Sequence, residues 1–199
     1  MWLLDSLLFP LLNAPADAHH GWLVFAAFAS SVFPSLAALV LASLAVQGRP
    51  GMRAAVGQAL LSMAFAWLAV HAIRKGFPAP RPAAMGQGLQ WLPHGVTSSF
   101  PSQHAAGSFA CWWGLAGAGG NHRLRKLGAA FLLVAVVIAW SRVYLGLHFP
   151  TDLLGGALVG ITMAGLAHWL WDRLAPHAFA RWQALPLAAR RTRGELAEG

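Results

Sequence analysis

The sequence predicts an all-α, polytopic membrane protein with about five transmembrane helices, preceded by a short N-terminal helix lying in the membrane interface. Three observations carry that prediction. Apolar residues make up 57% of the 199 and charged ones only 10%, where a soluble domain carries about a quarter charged. Mean hydropathy is +0.55. The fourteen Lys and Arg fall in short clusters between long apolar runs, which is a pattern of topology marking and not of nucleic-acid binding. The same numbers exclude a disordered chain, a coiled coil and an ordinary cytosolic enzyme. A disulfide framework is excluded too, because the one cysteine, Cys111, lies inside an apolar run.

A helix that crosses the hydrocarbon core needs about 20 predominantly apolar residues. Five stretches read as spans: Gly21–Gln47, Met52–Ile73, His104–Gly119, Leu127–Leu147 and Thr151–Trp171. The third is short and rich in Gly and Ala, which suits a helix buried among neighbours by close backbone approach. Residues 1–20 are apolar from Trp2 to Leu12, but Pro10 and Pro15 interrupt them and no basic stretch precedes them. They read as an interfacial segment and not as a cleaved leader. Residues 21–173 then form the transmembrane domain, and 174–199 a polar, basic, cytoplasmic tail.

Sorting the basic residues by side orients the chain. Arg49, Arg53, Arg123, Arg125, Lys126, Arg173, Arg181, Arg190, Arg191 and Arg193 share one face, which the positive-inside rule makes cytoplasmic. The opposite face holds Arg74, Lys75, Arg81 and Arg142. Topology favours no cations there, so these four call for a chemical explanation.

Three segments meet on that outer face. Arg74-Lys75 and Arg81-Pro82 follow span two, Ser98-Ser99-Phe100-Pro101-Ser102-Gln103-His104 leads into span three, and Ser141-Arg142 through His148 to Asp152 joins spans four and five. Guanidinium groups match phosphate oxygens bidentately and stay charged at neutral pH. A cluster of them at headgroup level, beside two histidines, suits a phosphorylated lipid. Asp152 is the only acid between residues 18 and 171, too few carboxylates for a two-metal site, and no Walker loop is present. The inventory therefore predicts hydrolysis through a covalent intermediate with no metal and no cofactor. His148 attacks phosphorus, and Asp152 orients and stabilises its imidazole. His104 protonates the leaving oxygen and then activates water. Arg81, Arg142 and one or both of Arg74 and Lys75 neutralise the developing charge. Ser102 donates from its hydroxyl, and the amides of Gln103 and His104 add donors at a helix start. Ser102 reads equally as a plain N-cap of span three.

These residues resemble a known family. Ser141-Arg142-x5-His148-x3-Asp152 matches in full the third signature of the type-2 phosphatidic acid phosphatase superfamily. Pro101-Ser102-Gln103-His104 is similar to its second, Pro-Ser-Gly-His, with Gln103 in the Gly place. The first, Lys-x6-Arg-Pro, falls on Arg74 and Arg81-Pro82, with Arg where Lys is the family residue and Lys75 one position late. The resemblance implies the roles just given, residue by residue, and a lipid phosphate as substrate. The spacing of Gly86, Gly88, His94, Ser98, Ser99, Ser102 and His104 is similar to the bacitracin-resistance class of undecaprenyl-pyrophosphate phosphatases. That likeness implies a bacterial inner-membrane enzyme whose site faces the periplasm or cell exterior, with undecaprenyl pyrophosphate as substrate and Gln103 beside the phosphate. Other readings are a phosphatidylglycerophosphate, phosphatidate or lipid A phosphatase, a phosphotransferase using the same intermediate, or a non-catalytic lipid-phosphate binder or transporter. The last needs cations but no nucleophile.

Overall fold

Seven α-helices and one 3-10 turn make up the regular structure of the described residues, 3–47, 50–95, 97–119 and 122–183 of a computed structural model. In order they are α1 (Leu3–Leu12), α2 (His20–Ser31), α3 (Phe33–Gln47), α4 (Pro50–Gly76), the 3-10 turn Ala83–Met85, α5 (Gln103–Ala116), α6 (His122–Tyr144) and α7 (Pro150–Gln183). Three are long and apolar enough to cross a membrane: Gly51–Gly76, His122–Tyr144 and Pro150–Leu174.

The span expected over Gly21–Gln47 is two helices, α2 and α3, bent by 43° at Val32. Pro34 explains the break, because it has no N–H for the Ser30 carbonyl and its ring crowds that turn. Counted together, the bent pair is long and apolar enough for a fourth crossing. The third expected span is the exception. At 14 residues, α5 is about 21 Å long at ~1.5 Å per residue, short of the ~30 Å hydrocarbon core. Helix α7 begins at Pro150 and continues to Gln183, past the expected tail boundary at 174. Arg190, Arg191 and Arg193 of that tail lie outside the described residues, as does Trp2.

The core is built around α5, whose inward face is Ala105, Ala106, Ala110, Cys111, Gly114 and Leu115. Leu41 of α3, Val56 of α4 and Phe131 of α6 close on its C-terminal half. Ala66 and Val70 of α4 pack with Ala106 and Ala110 on the other half. Small residues bring α7 in closely. A Cβ at Gly156 would lie 2.6 Å from the Ser102 carbonyl oxygen, and one at Gly160 would lie 2.4 Å from that of Ala106. Hydrogen at these positions lets the start of α7 reach the start of α5, where the Ser102 N–H donates to the Asp152 carbonyl at 2.9 Å.

The chain divides into two units, residues 1–168 and 169–199. Every candidate site residue falls in the first. In the second, the Arg173 guanidinium stands 4.5 Å over the Trp169 ring, a cation–π contact.

Candidate functional site

The loop between α6 and α7 turns tightly enough to bring Arg142 and His148 back to back. Gly146 takes φ +73°, a left-handed conformation that glycine adopts without Cβ strain, and a Cβ there would meet the Leu89 carbonyl oxygen at 2.0 Å. The Arg142 carbonyl accepts from the Leu147 and His148 amides at 2.9 and 3.3 Å. His148 is 1% exposed and Asp152 3%.

Each ring nitrogen of His148 has a distinct neighbour. Nδ1 lies 3.3 Å from Asp152 Oδ2 and 3.3 Å from Ser99 Oγ. Nε2 lies 3.3 Å from Arg81 Nη1. Asp152 Oδ2 also accepts from Ser99 Oγ at 2.5 Å and from the Phe149 amide at 2.8 Å. A carboxylate on the Nδ1 side favours the tautomer with its proton there, leaving the Nε2 lone pair facing the cations. Burial first, and then the charges of Arg81, Arg142, Arg74 and His94, hold the His148 pKa well below 6.5. The ring is therefore neutral, and able to act as a nucleophile, at pH 7.

Three arginines converge on this point. Arg81 is buried and braced by its own surroundings. Its Nε donates to the Thr97 carbonyl at 2.9 Å, its Nη1 to the Leu147 carbonyl at 2.8 Å, and its Nη2 to Thr97 Oγ1 at 3.2 Å. Burial, with a further contribution from Arg74, lowers the Arg81 pKa from 12.5 to about 10 against the opposing pull of Asp152. It remains a cation at neutral pH. Arg74 donates through Nε and Nη2 to the Pro101 carbonyl at 3.1 and 2.8 Å. Lys75 is exposed at the end of α4, so of the two adjacent cations it is Arg74 that turns toward the second motif. Arg142 is 4% exposed, yet among the described residues only Nη1 has a partner, Ser30 Oγ at 2.6 Å. Its Nε and Nη2 are buried without one.

Ser102 is fully buried at the N-cap of α5, but its hydroxyl makes no capping bond and has no partner among the described residues. Gln103 Oε1 is also buried and unpaired. Buried polar groups are almost always satisfied, so free donors on Arg142 and Ser102 beside a neutral histidine mark a place prepared for an anion. His104, in the first turn of α5, is within electrostatic reach of Arg142, His148, His94 and Arg74. An apolar cavity of about 230 Å³ opens beside it, lined by Leu41, Met63, Cys111, Phe131 and Ile138, with Gln103 and His104 also on its wall.

Some participants are missing from the sequence reading. In the sequence Ser99 is only part of a spacing, and nothing gives Ser30 or Thr97 a role. Ser30 and Ser99 are common small polar residues far in sequence from their partners, 112 positions from Arg142 and 53 from Asp152, and Thr97 is 16 from Arg81. No local pattern announces them. His94 lies in the loop over the site, its ring 6.1 Å from that of His148. Burial and then the Arg81 charge lower its pKa, partly offset by its bond to the Gly95 carbonyl.

Comparison with known proteins places the same residues in a wider setting. Residues 55–175 match the model of the PAP2 superfamily. The chain is 32% identical over 187 residues to "Putative undecaprenyl-diphosphatase YbjG" of Escherichia coli (strain K12), covering 91% of this chain and 89% of that one. It is 31% identical over 97 residues to undecaprenyl-diphosphatase BcrC of Bacillus subtilis (strain 168), covering 49% and 48%. Among solved structures, that of Aquifex aeolicus LpxE superimposes with a TM-score of 0.70 at 26% identity, over 83% of this chain and 95% of that chain.

Proposed function

Since this chain belongs to the PAP2 superfamily of membrane phosphatases, we propose that it removes the terminal phosphate of undecaprenyl pyrophosphate, yielding the monophosphate and inorganic phosphate. One observation carries the chemistry: a buried, neutral His148 with a carboxylate at Nδ1 and Arg81 at Nε2, beside donors on Arg142 and Ser102 that have no partner among the described residues. The near full-length similarity to a protein named as an undecaprenyl-diphosphatase supports the substrate.

In this reading the phosphate is held by Arg74, Arg81, Arg142 and Ser102, with Lys75 and Gln103 at the margin. His148 Nε2 attacks phosphorus, forming the P–N bond as the bridging P–O bond breaks. His104, charged once the negative phosphate faces it, gives its proton to the departing lipid monophosphate oxygen. The imidazole carries positive charge at that stage, and Asp152 offsets it. A water then gives a proton to His104 and attacks phosphorus, the P–N bond breaks, and phosphate leaves with His148 restored. Arginines fixed before the reaction stabilise the charge on the transferring group without rearranging. The apolar cavity beside His104 suits the lipid chain. Residues 21–173 are read as the phosphatase domain, in a bacterial inner membrane with its site facing outward.

The test is phosphate release by the purified chain in detergent with EDTA present. Undecaprenyl pyrophosphate is set beside phosphatidate, phosphatidylglycerophosphate and lipid A, with His148→Ala as control. Preference for the pyrophosphate, abolished by His148→Ala and indifferent to EDTA, is the expected result. Preference for another lipid overturns the substrate and keeps the mechanism, whereas full release by His148→Ala overturns the mechanism.

A further inference from the structure

Helix α1 presents leucines outward: Leu3, Leu7 and Leu11 are 78%, 59% and 80% exposed. Two of its side chains turn the other way. Phe9 is buried against Phe149, ring centroids 5.2 Å apart. Asp5 is 1% exposed, and among the described residues its carboxylate bonds only the first turn of α7. Its Oδ1 accepts from the Thr151 amide at 3.0 Å and its Oδ2 from Thr151 Oγ1 at 2.6 Å.

The first turn of α7 explains why an acid is wanted there. The helix begins at Pro150, which has no N–H to satisfy. The residue before it, Phe149, stands where Ser, Thr, Asp or Asn would ordinarily accept from the amide two positions on, and its side chain cannot. The amide two positions on is that of Thr151. Asp152 is already engaged, its Oδ2 turned back to the Phe149 amide at 2.8 Å. Asp5 therefore acts as an N-cap supplied from 146 residues away, and its negative charge complements the positive end of the helix dipole. A buried carboxylate is costly unless fully bonded. An exposed leucine-rich helix already anchored by Phe9, and by Asn13 bonding Leu89 and Tyr144, has no need of one for its own packing.

We propose that Asp5 is a positioning residue of the phosphatase site: by capping α7 from α1 it sets the first turn that holds Asp152 against His148 Nδ1. The inference rests on the reading of His148 and Asp152 as the reactive pair. It makes α1 part of the catalytic scaffold, with an inward face that serves the site while its leucines face lipid.

The experiment compares full-length wild type, Asp5→Ala, Asp5→Asn and Thr151→Val in detergent, using whichever lipid phosphate of the panel above the wild type turns over fastest. Both kcat and KM are measured, together with hydrogen exchange of peptides covering residues 145–153. Asp5→Ala is expected to lower kcat about tenfold or more with KM within about twofold, since a small misplacement of a reacting group costs rate before affinity. Exchange over 150–153 rises while α5 and α6 keep their protection. Asp5→Asn retains an acceptor for the Thr151 amide and recovers most of kcat. Thr151→Val keeps the amide but loses the hydroxyl, and falls between. A kcat for Asp5→Ala within about twofold of wild type, or a loss confined to KM, overturns the proposal. If Asp5→Ala does not fold, Thr151→Val decides, and unchanged kcat and exchange there overturn it equally. A wild type that ignores the pyrophosphate but cleaves another lipid phosphate refutes only the substrate and leaves this comparison intact.

Discussion

Replacing Asp152 by Asn tests the chemistry most directly, because it keeps the shape and removes the charge. In the resting site Asp152 Oδ2 receives Ser99 Oγ at 2.5 Å and the Phe149 amide at 2.8 Å, and stands 3.3 Å from His148 Nδ1. An amide oxygen in the same place keeps both donors at neutral strength, a loss of about 1 kcal/mol for each bond that no longer has a charged partner. That loss falls on the resting enzyme and the transition state alike. What differs between them is the charge that appears on His148 as Nε2 bonds to phosphorus. A full charge pair at 3.3 Å is worth about 5 kcal/mol at an effective dielectric of about 20, an upper bound for the lost stabilisation. The three arginines already oppose a positive imidazole, which makes the remaining carboxylate more important, while partial charge transfer at the transition state reduces its share. About 3–4 kcal/mol, or a fall in kcat of roughly 10²–10³, is the expected outcome. KM changes little, because Asp152 faces the histidine and not the phosphate. The assay is steady-state phosphate release over a range of substrate concentrations in detergent, with thermal unfolding as a check on folding. Wild-type kcat in Asp152→Asn would refute the orienting and charge-stabilising role outright, and a change in KM alone would relocate Asp152 to substrate binding.

Three further predictions follow from neighbouring contacts. Ser99→Ala removes a donor that holds Asp152 Oδ2 beside His148 Nδ1; because that bond is already present at rest, the about 1.5–3 kcal/mol it is worth should appear mainly as lost thermal stability, while looser placement of the carboxylate lowers kcat about tenfold or less with KM nearly unchanged in the same assay. Arg142→Lys keeps the charge but loses the planar fork whose Nε and Nη2 are free; kcat/KM should drop at least about tenfold, because bidentate phosphate binding needs the guanidinium. The acid limb of the kcat/KM profile, which reports the free enzyme, should lie below pH 6.5, because burial and the arginines depress the His148 pKa. Removing one of those positive charges in Arg81→Gln favours the protonated ring, so the limb should move to higher pH. A limb that stays put or moves down refutes that electrostatic account.

Much of the site was legible in the sequence because it is local. Arg142, His148 and Asp152 lie within one turn-and-helix segment, and the four-residue step from His148 to Asp152 brings the two side chains together on the first turn of α7. The excess of cations on one face was equally readable, since topology offers no reason for it. Sequence spacing failed where chemistry depends on orientation. Arg74 and Lys75 are neighbours along the chain, but a helix points successive residues about 100° apart, and only Arg74 faces the Pro101 carbonyl. Ser102 read as either a cap or a phosphate donor, and its hydroxyl makes no cap. The bend at Val32 was hidden by an apolar run that continues through it, although Pro34 marked the place.

The sequence by itself determined the class of molecule, since burial of 57% apolar residues in lipid requires helices that satisfy their own backbone bonds. It also determined the chemical inventory: arginines, two histidines, one carboxylate and the spacing that groups them. Only the tertiary structure decided which nitrogen of His148 meets the acid, which donors are left free, and how Ser30, Ser99 and Asp5 reach their partners. Those contacts join residues 53 to 146 positions apart. Their energies arise only once packing has brought the helices together, and no local propensity in the chain records them.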